Sequence, residues 1–396
     1  MPVRVVLQPR KARPAVAGHP WIFERAIASI SGDPSAGDAV EVFSDSGEFI
    51  AHGRFNPHSR IRVRLYSWSR DLPFEEPLLR RRLENAVAFR RDVLGWLNPR
   101  GGCRLVYSES DGLSGLVVDQ YADALVVQFN ALAMLRFETT IYETLVRLCA
   151  PAAVVRRIDP AIARREGFSL DDRVVFGDAD RTTATIEESG VEFFVDLLGG
   201  QKTGAFLDQR DNRTAVARYA AGRDVLDVFC YTGGFGLVAL ARGGAAGVLG
   251  LDSSQEALDL ARRSARPFAP KAEYRRGDAS ALMTELARDG RTFGLVVCDP
   301  PKFAAKSADL PGALRGYEYI HRLAMSLVGA GGVLAACSCS GLLDAGAFRD
   351  VLARAARRQG REFQLLEMRG QAPDHPVALA CPETAYLKCA ILRALD

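Results

Sequence analysis

From about residue 190 onward, strand-like and helix-like segments alternate without a break, and this alternation fixes most of what the chain can fold into. VEFFVDLL opens the series. VLDVF, GVLGLD, AEYRR, FGLVVCD, GVLAACS and FQLLEM then read as strands. Between them lie GFGLVALARGG, SQEALDLARRSAR, SALMTELARDG, YIHRLAMSLVGA and GAFRDVLARAARR, with the spacing of amphipathic helices. Parallel strands need long crossover connections, and a helix is the usual one. Strict alternation therefore implies an α/β, Rossmann-like domain whose parallel sheet is covered on both faces. Ligands of such sheets bind beyond the carboxyl ends of the strands, so the residues directly after each strand are the ones to read.

After VLDVF comes CYTGGFG, residues 230–236. Its glycines allow a sharp turn and close approach of a ligand, and the next helix presents its N-terminal amides. Asp252 ends the second strand, where a carboxylate can accept from ribose hydroxyls. The G-x-G-x-x-G spacing that seats a pyrophosphate is missing. An adenosine cofactor without phosphates, S-adenosylmethionine, fits better than NAD. The plainer alternative is a tight turn with a capping Asp. After the third strand, Asp278 of GDAS is placed near an adenine amine or simply caps a helix.

The fourth strand leaves through DPPKF, residues 299–303. Its prolines stiffen the exit and lack donors, so the Pro300 carbonyl is open to a substrate. Asp299 can hold a cofactor ammonium or a target base. The fifth strand ends in CSCSG, residues 337–341, and should lie beside the fourth, so that Cys339 faces DPPKF. A thiol there has a chemical use. Carbon 5 of a pyrimidine is too weak a nucleophile to take a methyl group directly. A thiolate that adds to carbon 6 makes it enamine-like. Cys337 reads as core filler, since cysteine packs as a small hydrophobe.

The rest of the chain looks different. Residues 1 to about 75 read as all-β, and about 76 to 190 as α+β. With 396 residues, two or three domains are expected. Net charge is only +3, but arginine clusters in the first half, including the alternating Arg60, Arg62 and Arg64. On a strand these would form a basic ribbon able to follow phosphates. Eight cysteines in a chain this long are not a disulfide framework. No CxxC pair occurs and only five histidines are present, so no metal site is expected. No apolar stretch has the length of a membrane span and no signal peptide is apparent, which gives a cytoplasmic expectation.

Together these stretches resemble a known family: the RlmI-like bacterial class I methyltransferases acting on cytosine carbon 5 of 23S ribosomal RNA. The resemblance is carried by GGQKTGAFLDQRDNR (199–213), DVFCYTGGFG (227–236), LDSS (251–254), GDAS (277–280), CDPPKF (298–303), SCSG (338–341), and DHP with PETAYLK (374–388). It implies a PUA-like RNA-binding β barrel over residues 1–75, an α+β connecting domain over 76–190 and a seven-stranded class I methyltransferase domain over 191–396. S-adenosylmethionine would be held by Asp208, Arg210, Phe229, Tyr231, Thr232, Gly233, Gly234, Asp252, Ser253, Asp278, Ala279 and Asp299. Cys339 and Asp299 would be catalytic, and Arg60, Arg62, Arg64 and Lys302 would meet RNA. The partner would be 23S rRNA or a large-subunit precursor, and a homodimer is compatible with the sequence. The base that removes the carbon-5 proton stays open among Asp299, Asp374, His375 and Glu383. Two other functions compete: methylation of a base nitrogen such as guanine's, and a non-catalytic RNA-binding assembly factor. The Cys339 thiol separates the first of these from the leading reading.

Overall fold

The computed structural model describes residues 3–200, 203–303 and 309–396, so Gln201 and Lys202 of the GGQKTG stretch lie outside the described residues. The chain forms two compact units. One comprises Met1–Ala184, Asp196–Gly204 and Pro373–Thr384; the other comprises Thr185–Val195, Ala205–Ala372 and Ala385–Asp396. Among the described residues no helix is long and apolar enough to cross a membrane.

The first unit is built on two sheets. Strands β1 (Val3–Leu7), β2 (Trp21–Phe23), β3 (Ile27–Ile30), β4 (Ala39–Phe43), β5 (Phe49–Phe55) and β6 (Ile61–Ser67), with the short helix α1 (Arg13–Val16), make a six-stranded sheet in the order β2-β6-β5-β4-β1-β3. Its core is Val5, Leu7, Ile22, Val40, Val42, Val63 and Leu65. Next come α2 (Glu76–Ala88), β7 (Gly102–Tyr107), β8 (Leu116–Tyr121), β9 (Ala124–Phe129), α3 (Leu132–Leu135), α4 (Glu138–Cys149), β10 (Ala153–Arg157), α5 (Pro160–Glu166) and β11 (Arg173–Gly177). These five strands form the second sheet, ordered β11-β10-β9-β8-β7. Leu79, Leu83, Ile141 and Leu145 of α2 and α4 share its apolar cluster.

The expected basic ribbon does not form. Strand β6 lies between β2 and β5, and most of its residues are buried. Arg64 is 8% exposed. Its guanidinium reaches Glu166 at 3.2 Å, Glu109 at 3.5 Å and the Ser114 hydroxyl at 3.1 Å. Arg62 pairs with Glu24 at 2.7 Å. Arg60 alone of the three is exposed. An arginine on a central strand can be buried only if carboxylates neutralise it, and once neutralised it has little charge left for phosphate.

The second unit begins with a hairpin, β12 (Thr183–Glu188) and β13 (Val191–Asp196), then α6 (Arg210–Ala217). The alternating series follows: β14 (Asp224–Val228), α7 (Gly234–Gly243), β15 (Gly247–Asp252), α8 (Gln255–Ser264), β16 (Ala272–Arg276), α9 (Ala279–Arg288), β17 (Phe293–Cys298), α10 (Leu310–Ser326), β18 (Val328–Ser338), α11 (Ala345–Gln359), β19 (Phe363–Arg369) and β20 (Lys388–Ala394). The seven-stranded sheet has the order β16-β15-β14-β17-β18-β20-β19. Strands β14 to β18 pair in parallel, while β20 is antiparallel to both neighbours. VEFFVDLL is therefore a hairpin strand outside this sheet. Its seventh member is KCAILRA, which the alternating pattern does not mark because no helix precedes it.

Period-two burial explains why these runs are apolar throughout. Leu226, Val228, Val296, Cys298, Leu334, Ala336 and Leu392 pack on one side with Met283, Tyr317, Ile320, Phe348 and Val351 of α9, α10 and α11. Val225, Leu295, Val297, Val333, Ala335, Cys337 and Ile391 pack on the other with Val216 of α6 and Ala239 of α7. Leu334 is fully buried. Leu334→Ala should cost about 2–5 kcal/mol of unfolding free energy, because the surrounding sheet cannot collapse into the gap. Urea denaturation followed by circular dichroism checks this; a loss below about 1 kcal/mol contradicts the packing described.

Candidate active site

The strand order reverses at β14, whose neighbours are β15 and β17. A crevice at the carboxyl ends of these strands is where a doubly wound sheet takes its ligand. The loop leaving β14 is held in a demanding shape. Phe229, Tyr231 and Gly233 have φ of 63°, 49° and 80°. The first two are non-glycine residues in the left-handed region, which persists only when the surroundings hold it. Two carboxylates do so. Asp252 Oδ2 accepts from the Tyr231 amide at 2.9 Å, and Asp227 Oδ2 accepts from the Gly236 amide at 2.9 Å. The Cys230 amide adds a bond to the Leu251 carbonyl at 3.0 Å. Gly233 is required twice: for its φ, and because a Cβ there would stand 2.7 Å from the Tyr274 hydroxyl.

Several expected residues sit around this loop. Thr232 is buried and Gly234 opens α7. Asp252 also accepts from the Ser254 amide at 2.9 Å, while the Ser253 carbonyl takes the Arg276 guanidinium at 3.2 Å. Asp278 is the N-cap of α9: Oδ1 accepts from the Ala281 amide at 2.9 Å and from the Ser280 hydroxyl at 2.6 Å. Those bonds, Ser280 first, hold its carboxyl below the usual range. Asp278 thus serves as a cap with its carboxylate exposed, and Ala279 behind it is buried.

The LDQRDNR stretch meets DPPKF. Gln209 donates from Nε2 to Asp299 Oδ2 at 2.9 Å and accepts from Asn212 Nδ2 at 2.6 Å. This chain of bonds fixes both amides and aims Asp299. The Asp299 amide donates to the Val228 carbonyl at 3.3 Å, joining the exits of β17 and β14. Asp208 is 3% exposed and accepts from the Tyr386 hydroxyl. Arg210 opens α6, 3.7 Å from Glu188. Lys302 is exposed just past the prolines.

Strand β18 pairs with β17 in register, Ala336 beside Cys298, so the CSCSG turn follows directly beside DPPKF. Cys337 is fully buried, and a hydrogen bond with Cys389 together with burial pushes its thiol well above the ordinary value. It is core. Cys339, one residue past the strand, is half-buried.

Three of the four candidates for the proton-abstracting base belong to the other unit and are occupied there. Asp374 is fully buried; it accepts from the Arg104 amide at 2.9 Å and lies 2.8 Å from His375 Nδ1. His375 is 2% exposed and packs against the Tyr107 ring. Glu383 lies 3.2 Å from His19 Nε2, with Cys381 nearby. The ligand atoms of these three residues lie within 4.8 Å of one another. His19 Nδ1 accepts from the Trp21 amide at 3.2 Å, which puts the neutral ring's proton on Nε2, and burial beside Glu109 and Glu383 pushes the Cys381 thiol up to about 12.

Residues 5–68 match the PUA-like domain family, and residues 162–393 match the S-adenosylmethionine-dependent methyltransferase family. A protein of Photobacterium profundum called ribosomal RNA large subunit methyltransferase I is 42% identical over 93% of this chain and 94% of its own. Its namesake in Aeromonas salmonicida is 39% identical over the full length of both. The chain belongs to the ribosomal RNA large subunit methyltransferase I family. A solved methyltransferase complexed with SAH, 18% identical, superposes with a TM-score of 0.85 over 99% of this chain and 100% of that one, which shows a shared class I fold. Members of this methyltransferase family use S-adenosylmethionine, and the residues present suit it. The turn is tight enough for a cofactor to lie against backbone, and the carboxylates near it suit a cation with ribose hydroxyls.

Sequence reading missed Asp227, Gln209, Asn212, Tyr386 and Lys388. Each lay inside a quoted motif, and all but Asp227 have a partner far along the chain. Asp227 had one local signal, a carboxylate inside an apolar strand. It is 1% exposed, and burial, reinforced by Asp299 and Asp252, holds its carboxyl up at about 7. The folded state therefore keeps a proton that the unfolded chain loses from about pH 4, and stability falls as pH rises towards 7. Asp227→Asn mimics the protonated form. Its melting temperature relative to wild type should be clearly higher at pH 8 than at pH 5, as calorimetry would read; an equal difference at both values contradicts the raised carboxyl.

Proposed function

We propose that the chain methylates carbon 5 of a cytosine in 23S rRNA through a covalent bond between Cys339 and carbon 6. The observation carrying this reading is the half-buried thiol directly beyond β18, beside the DPPKF exit of β17, at the ligand edge of a methyltransferase sheet. S-adenosylmethionine supplies an electrophilic sulfonium methyl. The loop of Phe229, Tyr231, Thr232, Gly233 and Gly234 would hold it, with Asp252 and Ser253 on the ribose, Asp278 and Ala279 at the adenine, and Asp208 and Arg210 closing the pocket. Asp299, aimed by Gln209, would orient the cofactor ammonium or the base.

The chain's own steps balance simply. The Cys339 thiolate adds to carbon 6, and the ring electrons released make carbon 5 nucleophilic. After carbon 5 gains its methyl group, loss of its proton re-forms the double bond and expels the thiolate. Asp299 is the remaining carboxylate candidate for that proton. A base in structured RNA must first be unstacked to reach the thiol. The PUA-like part and Lys302 would hold neighbouring RNA by shape and phosphate contact. The finer organisation we propose is a PUA-like domain over 1–75, a connecting domain over 76–190 and a catalytic domain over 191–396.

The test is transfer from labelled S-adenosylmethionine to 23S rRNA, with nucleoside analysis of the product. Wild type should give 5-methylcytidine, and Cys339→Ala should lose at least ~10³-fold of the activity. A methylated guanine, or full activity without the thiol, would move the reading to base-nitrogen chemistry.

A further inference from the structure

Strand β18 ends at Ser338, and antiparallel β20 begins at Lys388 directly across from it. A lysine is an unexpected start for this strand, because its side chain is not at the surface. Lys388 is 6% exposed. A buried ammonium is costly unless its protons find acceptors and its charge a counter-charge. Two acceptors are present: the carbonyl of Ser340, the residue after Cys339, and that of Tyr386 at 2.7 Å. Neutral carbonyls satisfy donors but do not balance a charge.

The charged and titratable groups facing the amine come from three elements. They are Cys339 beyond β18, Asp344 at the N-cap of α11 and Lys302 beyond β17. Asp344 Oδ1 accepts from the Ala347 amide at 2.7 Å. Lys302 repels. Tyr317 of α10 is within electrostatic reach of both Cys339 and Asp299. Lys388 is thus tied to the backbone of the residue next to Cys339, within electrostatic reach of its sulfur.

We propose that the Lys388 ammonium is the counter-ion of a Cys339 thiolate, and that its two carbonyl bonds fix where that sulfur stands. This rests on Cys339 being the nucleophile and adds what activates it. Lys388 acts through Cys339 and is a positioning residue. When the pair forms, the thiol's proton leaves to solvent while the amine keeps its own. Burial brings the amine down to about 8, so the counter-charge is present at neutral pH and fades above that. A cation beside a thiol lowers its pKa from the ordinary ~8.5.

The experiment is alkylation of Cys339 by iodoacetamide across pH, read by peptide mass spectrometry on the full chain. Cys149 is the other cysteine that is not buried, so a Cys149→Ser background removes it. The wild-type rate should inflect below pH ~8. In Lys388→Met the inflection should rise by at least ~1 unit, slowing alkylation about 10-fold at pH 7. Lys388→Arg should recover most of the loss. An unchanged inflection in folded Lys388→Met overturns the proposal. Should that variant not fold, wild type decides: an inflection at or above the ordinary thiol value means that no counter-ion acts on Cys339. The underlying reading fails separately, through full methyl transfer by Cys339→Ala. An inactive Cys339→Ala with an unmoved Lys388→Met profile removes Lys388 alone.

Discussion

A sheet buried on both faces leaves its polar groups few places to stand. Along β14, β15, β17 and β18 most side chains are taken by one of two apolar clusters. Chemistry is confined to where the strands stop, and parallel pairing stops them at one edge. Asp252, Asp299 and Cys339 share that edge for this reason, although 87 residues separate the first from the last. The strained turn after β14 depends on the same constraint. Its left-handed residues are affordable because carboxylates on β14 and β15 are delivered to fixed positions by the register.

Much of this was legible in the sequence because the signals were local. Helix and strand periods identified the α/β half, and reading only the strand exits led to CYTGGFG, DPPKF and CSCSG. What escaped was whatever depends on distant partners. The gap between Arg64 and Glu166 is 102 residues, and nothing in IRVRLYS says that an alternating arginine will be buried and neutralised. The Gln209–Asp299 bond joins two motifs that the sequence marked separately without marking their contact.

The antiparallel strand was the most instructive omission. KCAILRA has no helix before it, so it falls outside the βα rhythm, yet it pairs with both β18 and β19. Antiparallel entry brings the start of β20 to the same edge at which β18 ends. A lysine at its first position therefore stands across from the CSCSG turn, and a parallel strand would have put its last residue there instead.

This arrangement has a consequence for the making of the protein. Strand β20 inserts between two strands that are synthesised before it. Until residues 388–394 emerge, β18 is an open sheet edge and β19 has no partner within the sheet. During translation the thiol of Cys339 consequently exists well before the amine that faces it. This edge of the sheet is completed by a late insertion rather than by growth outward from the first strand, so a ribosome paused before residue 388 carries a chain whose CSCSG turn has no β20 beside it.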